Sequence, residues 1–162
     1  MTGESPFFFI DRAVLPEWID YNGHMGVAHY AAVFDDCAES FYESLGLGRS
    51  SAAGGGGSLF SLEHHTCFLK ELGADTPLRV TLQLLDWDAK RIHYFMRMCH
   101  RDTAVVSATS EQLAIHVDMT TRSSAPFPAE TRQRLSTLWA EHRPYATPSE
   151  AGHVIRIRRK RE

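Results

Sequence analysis

The chain has 162 residues, 43% hydrophobic and 23% charged, which fits one globular domain with its own apolar core and excludes a disordered chain. Its 17 basic and 20 acidic residues give a formal net charge of −3, so the strongly basic footprint of a dedicated nucleic-acid binder is absent. The balance is uneven: Arg156 to Glu162 hold five basic residues and one acid, leaving a net charge of −7 on the rest.

Phe7 to Val14 is rich in aromatic and β-branched residues and reads as a first strand, ended by Pro16. A polar, turn-prone stretch follows from Glu17 to His24. After Gly26, Val27, Tyr30, Ala31, Phe34, Ala38, Phe41 and Leu45 recur at three- and four-residue steps, one buried stripe of a long helix. Asp35, Asp36, Glu39 and Glu43 lie mostly off it, and Gly46 and Gly48 stand where the helix should stop. Ser50 to Ser58, with four consecutive glycines, reads as a flexible loop; it lacks the Lys-Ser/Thr of a phosphate-binding loop.

Four strands are expected next, joined largely by tight turns. They are Leu59 to Leu69, Leu78 to Leu84, Arg91 to His100 and Ala104 to Met119, with turns at Asp86 to Lys90 and Arg101 to Thr103. Ala129 to His142 reads as a short amphipathic helix, and Pro144 and Pro148 mark a loop before Val154 to Ile157. The fold class is therefore α+β, a long central helix wrapped by a curled antiparallel sheet. One helix covers one face only, so further cover from a homodimer or homotetramer is expected. The reading is one domain over residues 1–162, with a basic tail from about 156 that is either solvated or docks on a phosphate or an acidic partner.

Cys37, Cys67 and Cys99 are odd in number and far apart, with no C-x-x-C, so neither a disulfide framework nor a zinc knuckle is expected. No apolar run approaches a membrane span, and the N-terminal apolar run is too short for a signal segment. A cytoplasmic location, with no membrane and no nucleic-acid partner, is the expectation.

The densest polar cluster is Asp20-Tyr21-Asn22-Gly23-His24-Met25-Gly26, immediately before the long helix. The first N–H groups of a helix lack intrahelical partners and carry the positive end of its dipole, so they can stabilise an oxyanion. Gly23 and Gly26 admit a substrate close to the backbone. Asp20 is placed to act as general base toward water or as nucleophile. An Asx-type turn with Asp20 and Asn22 merely satisfying backbone donors explains the same residues.

The run Trp18 to Tyr30 resembles the D-x-N-G-H-x-N-x-x-x-Y signature of hot-dog-fold acyl-CoA thioesterases, the 4-hydroxybenzoyl-CoA thioesterase-like group. The likeness extends through Ser58 to His65, Leu84 to His93 and His116 to Asp118, over about residues 7–128, and is greatest toward thioesterases of carnitine breakdown proposed to act on betainyl-CoA. The resemblance implies a hot-dog fold, Asp20 as the catalytic carboxylate, and a backbone N–H around Gly26 and Val27 binding the thioester carbonyl. It also implies catalytic or positioning roles for Asn22 and His24. Gly26 departs from the family pattern, standing where many members have Asn.

Glu63 is a second candidate carboxylate, from an otherwise apolar strand; many hot-dog thioesterases use a Glu from a separate element. A solvent-facing Glu, or one paired with His65, is the plain alternative. Lys90, Arg91, Arg122 and Ser123 suit the phosphates of coenzyme A, with a solvated turn as the plain alternative. Trp18, Tyr21 and Trp87 offer aromatic faces to a quaternary ammonium, with core packing as the default for each.

Nine histidines raise the question of a metal, but adjacent His64 and His65 point to opposite faces of a strand, and no H-x-x-x-H or H-E-x-x-H occurs. No metal and no cofactor is expected, coenzyme A being part of the substrate. His93 and His116 are expected as packed, hydrogen-bonded strand residues. Two rival activities fit the same fold: an acyl-CoA hydratase or dehydratase, and a non-catalytic acyl-CoA-binding module.

Overall fold

The long apolar stripe after Gly26 folds as α1 (Val27–Ser44). The computed structural model describes residues 7–157, so the basic tail lies outside the described residues from position 158. Tyr30, Phe34, Ala38, Phe41 and Leu45 of the expected stripe are buried, joined by Val33, Cys37 and Tyr42. Val27 and Ala31 correct the expectation: both are exposed. The first turn of α1 borders an open cleft at Val27, and Ala31 belongs with Ala28 and Ala32 to a small-residue strip facing outward.

Around α1 curls one antiparallel sheet. Its main strands are β1 (Phe8–Ala13), β2 (Gly57–Phe68), β3 (Pro77–Trp87), β4 (Arg91–His100) and β5 (Val106–Asp118). Their order across the sheet is β1-β3-β4-β5-β2, with the short β6 (Ser123–Ser124) also on β5. The expectation of four strands joined largely by tight turns therefore holds only for the β3-β4-β5 meander. β2 pairs with β5 at an edge, and the chain from 69 to 76 crosses to reach β3. β3 also runs on to Trp87, past the turn expected at Asp86, because a bulge between Leu84 and Asp86 shifts its register against β4. The Leu84 N–H there donates to His142 Nδ1 at 2.9 Å, which pins α3 (Ala129–His142) onto the sheet.

A second correction falls at the supposed flexible loop. Arg49–Ala53 forms a one-turn helix, α2. Glu43, at the end of α1, reaches across Gly48 and accepts from Ser50 N at 3.0 Å and Ser50 Oγ at 2.7 Å. A carboxylate thus caps the orphan donors of the new helix. A Cβ at Gly48 would come within 2.4–2.7 Å of the Glu43 side chain, so glycine is what lets the cap form.

The core lies between α1 and the concave face of the sheet, and it holds a polar row. Tyr42 and Tyr94 share a hydroxyl hydrogen bond of 2.6 Å, Tyr94 Oη donates to Gln112 Oε1 at 2.7 Å, and Gln112 Nε2 donates to Ser110 Oγ at 3.1 Å. Burial pushes the Tyr42 phenol up to about 12 and the Tyr94 phenol higher still, so both are neutral partners at working pH. Burial likewise pushes the Cys37 thiol up to about 12, which leaves it an inert packing residue. His93 and His116 are packed as expected. His93 Nε2 meets Glu111 Oε1 at 2.7 Å, and His116 Nδ1 meets the Ala125 carbonyl at 2.8 Å. Among the described residues no helix is long and apolar enough to cross a membrane.

Candidate active site

The loop between β1 and α1 is built by its own backbone. Asp20 N donates to the His24 carbonyl at 2.9 Å and Gly23 N to the Asp20 carbonyl at 3.0 Å. Gly23 has φ +83°, a region that glycine enters without steric cost. Met25 N donates to the Leu72 carbonyl at 2.8 Å, tying the loop to the β2–β3 connection. The Asx-type turn expected at Asp20 is present. Asp20 Oδ1 accepts from Asn22 N at 2.7 Å and its Oδ2 from Asn22 Nδ2 at 3.4 Å, an arrangement that also fixes the carboxylate in space. Asn22 itself is exposed, so the network holds Asp20 without burying it.

Gly26 and Val27 differ in the state of their N–H groups. Gly26 N already donates to the Trp18 carbonyl at 2.8 Å, which removes it from any oxyanion site. The N–H groups of Val27 and Ala28, the first two of α1, find no acceptor among the described residues. These are the donors that a polarised carbonyl can reach. Gly26 Cα sits beside Asp20: a Cβ there would meet Asp20 Cβ, His29 Cδ2 and the Trp18 carbonyl, each at 3.6 Å. Those are ordinary contacts, so sterics do not demand glycine here, and its effect is to leave space next to the carboxylate.

His24 turns its Nδ1 to the Met25 carbonyl at 3.2 Å. It lines a cleft of about 340 Å³ with Met25, Val27, Tyr30, Phe68, Leu69, Lys70 and Glu71. The cleft wall is largely apolar, as an acyl chain requires. Trp18 stacks on His29 with ring centroids 5.5 Å apart, a packing role. Tyr21 departs from the core-packing default: it is 97% exposed.

The remaining candidates lie elsewhere in the chain. Glu63 is exposed and lines a separate cleft on the convex face of the sheet with His64, His65, His93 and Glu111. Trp87, Lys90, Arg91, Arg122 and Ser123 gather at the far end of the sheet. Lys90 Nζ donates to Ser124 Oγ at 3.3 Å, Arg91 pairs with Asp88 at 2.5 Å, and Arg122 lies 5.6 Å over the Phe60 ring. The Arg91 guanidinium holds the Asp88 carboxyl down at about 2. The loop of Asp20 sits at the Pro77 end of β3, Trp87 at the other. At roughly 3.3 Å per residue these are about 33 Å apart along the strand. One chain therefore joins Asp20, Asn22, Gly23, His24 and Val27 into a site and leaves Glu63 and the basic group outside it.

A grouping that the sequence reading missed is His65, Cys67 and His153, whose ligand-type atoms all lie within 4.8 Å of one another. Half of its signal was available, since residues two apart on a strand share a face. The other half comes from the chain beyond α3, whose path no local pattern reveals.

A family model described as the thioesterase-like superfamily matches residues 14–135. The betainyl-CoA thioesterase of Pseudomonas aeruginosa is 37% identical over 145 residues, covering 90% of this chain and 91% of that protein. The L-carnitine dehydrogenase/betainyl-CoA thioesterase of Rhizobium meliloti is 33% identical over 96% of this chain, which spans 31% of that longer protein. Among solved structures, a Staphylococcus aureus protein in complex with CoA matches with a TM-score of 0.87 at 30% identity, covering 94% of this chain and 96% of that one. With its curled sheet, central helix and carboxylate-bearing loop, this chain belongs to the thioesterase-like superfamily, as a thioester hydrolase of the hot-dog fold.

Proposed function

We propose that this chain hydrolyses betainyl-CoA, or a similarly small acyl-CoA, to the free acid and CoA. The observation that carries the reading is Asp20, fixed by Asn22 beside the unpartnered first N–H groups of α1. The thioester carbonyl oxygen accepts from Val27 and Ala28. Asp20 takes a proton from water as the water oxygen bonds to the carbonyl carbon. The oxyanion then collapses, the C–S bond breaks, and the departing sulfur takes the proton from Asp20. The same geometry serves direct attack by Asp20, through a mixed anhydride that water resolves. His24 and Asn22 position water or carboxylate. Water is the co-reactant and no redox cofactor is needed. Family membership and the Asp20 loop favour hydrolysis over the hydratase, dehydratase and binding-module alternatives.

The acyl assignment rests on the betainyl-CoA relatives. Thiol release from betainyl-, acetyl- and benzoyl-CoA tests it. We expect kcat/KM for betainyl-CoA to exceed the others by at least about tenfold, within the range that pocket contacts commonly give. Equal rates would remove the carnitine assignment and leave the hydrolase standing.

A second copy completes the site in this proposal. β2 is an edge strand whose residues 60–64 are exposed, Phe60 and Leu62 among them, and it lies beside the Ala28, Ala31 and Ala32 strip of α1. Such an edge invites pairing. A two-fold pairing of β2 with its copy runs antiparallel, so it sets the far end of one sheet beside Phe68 and the His24 cleft of the other. Arg122 and Ser123 of one copy then approach Asp20 of the next, where CoA phosphates need them. Light scattering should give a mass of two or four chains, and Leu62→Arg should shift it toward one. A monomeric, fully active wild type would sink the shared site.

A further inference from the structure

On the convex face of the sheet, His65 and Cys67 stand two residues apart on β2 and so project to the same side. Beyond α3 the chain returns over this face. Arg97 holds Glu150 at 3.2 Å, and Gly152 N donates to Glu111 Oε2 at 2.7 Å, Glu111 being the β5 residue opposite His65. These contacts deliver His153. Its ring stacks on His65 with centroids 5.7 Å apart and planes 22° from parallel, and its Nδ1 lies 3.8 Å from Cys67 Sγ. All three side chains are partly buried, and one donor atom of each falls within 4.8 Å of the others.

We propose that His65, Cys67 and His153 bind a Zn2+ ion that clips the segment after α3 to the edge strand. The donor set is two imidazole nitrogens and one thiolate, a combination that selects zinc over magnesium or calcium. With Zn–S near 2.3 Å and Zn–N near 2.0–2.1 Å, tetrahedral donors are separated by about 3.3–3.6 Å. The Cys67–His153 pair is already close to that span, and side-chain rotation closes the rest. Water takes the fourth position from the adjoining cleft of about 530 Å³, which Glu63 and Glu111 also line. Binding releases the Cys67 thiol proton to solvent. The site departs from the expectation of no metal, which weighed His64 against His65 and did not pair His65 with Cys67. It is separate from the Asp20 loop, so its failure and the failure of the thioesterase reading are independent.

Titration of the metal-free full chain with Co2+ tests the proposal. Wild type should bind one ion per chain, with a thiolate-to-cobalt charge-transfer band and the intense visible bands of tetrahedral cobalt, and Zn2+ should displace it. Cys67→Ser should abolish the charge-transfer band. His153→Ala, in a stretch without regular structure, should weaken Zn2+ binding by more than the roughly 10–100-fold that an outer-shell change costs. His64→Ala should bind as wild type does. No cobalt spectrum in wild type, or a spectrum unchanged in both Cys67→Ser and His153→Ala, would overturn the site.

Discussion

Replacing Asp20 by alanine is expected to lower kcat by roughly 10²–10⁴, the range for loss of a positioned general base, with KM little changed. The carboxylate is partly exposed and its two acceptor contacts come from Asn22, itself at the surface, so truncation strands no buried donor. Far-ultraviolet circular dichroism should match wild type. Asp20→Asn sharpens the experiment. An amide keeps an acceptor for Asn22 N and preserves the turn, but it neither accepts the proton of water nor forms an anhydride. If the role is chemical, Asp20→Asn falls as far as Asp20→Ala. If Asp20 only shapes the loop, Asp20→Asn keeps its rate within a few-fold of wild type, and the proposed mechanism fails. Single turnover in oxygen-18 water separates the general-base from the nucleophilic route: label recovered in the Asp20 carboxylate marks the nucleophilic one.

Phe34→Ala should carry the largest cost in stability. Phe34 is fully buried on the stripe of α1 that faces the sheet. Removing a buried phenyl ring costs about 3–5 kcal/mol, the lost transfer energy plus the cavity left behind. That is a large share of the roughly 5–15 kcal/mol that holds a domain together. For a chain of this length it corresponds to a fall in Tm of roughly 6–20 °C. Leu15→Ala is the control, since Leu15 is exposed and should change stability by less than about 0.5 kcal/mol. Denaturant melts at fixed protein concentration check both, because the proposed self-association would make stability depend on concentration. A loss below about 1 kcal/mol for Phe34→Ala would mean that α1 does not anchor the core as described.

Periodicity carried most of the fold. The spacing of Tyr30, Phe34, Ala38 and Phe41 located α1, and the alternation over Leu78 to Leu84 located β3. Pairing order was another matter, because β2 reaches β5 through contacts remote in sequence, and local patterns are blind to those. α2 was hidden by its four neighbouring glycines; its cap comes from Glu43, six residues before the helix begins. In the site, the Asp20 loop was legible because its parts are contiguous. The assignment of Gly26 as oxyanion donor was not, since its N–H is taken by the Trp18 carbonyl. The approach of Arg122 and Ser123 to Asp20 depends on a second chain in the proposal, and no single sequence displays that geometry.

The buried row from Tyr42 through Tyr94 and Gln112 to Ser110 bears on which fold is chosen rather than on how stable it is. A hydrogen bond in a core adds little net energy, but a stranded polar group there costs about 1–3 kcal/mol. Gln112 lies opposite Tyr94 across the β4–β5 pair. If β5 slid by one residue, Gln112 would turn to the convex face and the phenols would lose their acceptor. Apolar neighbours would tolerate such slippage with modest loss; the polar row does not. It works as a proofreading device, charging misaligned sheets a penalty that the aligned one escapes.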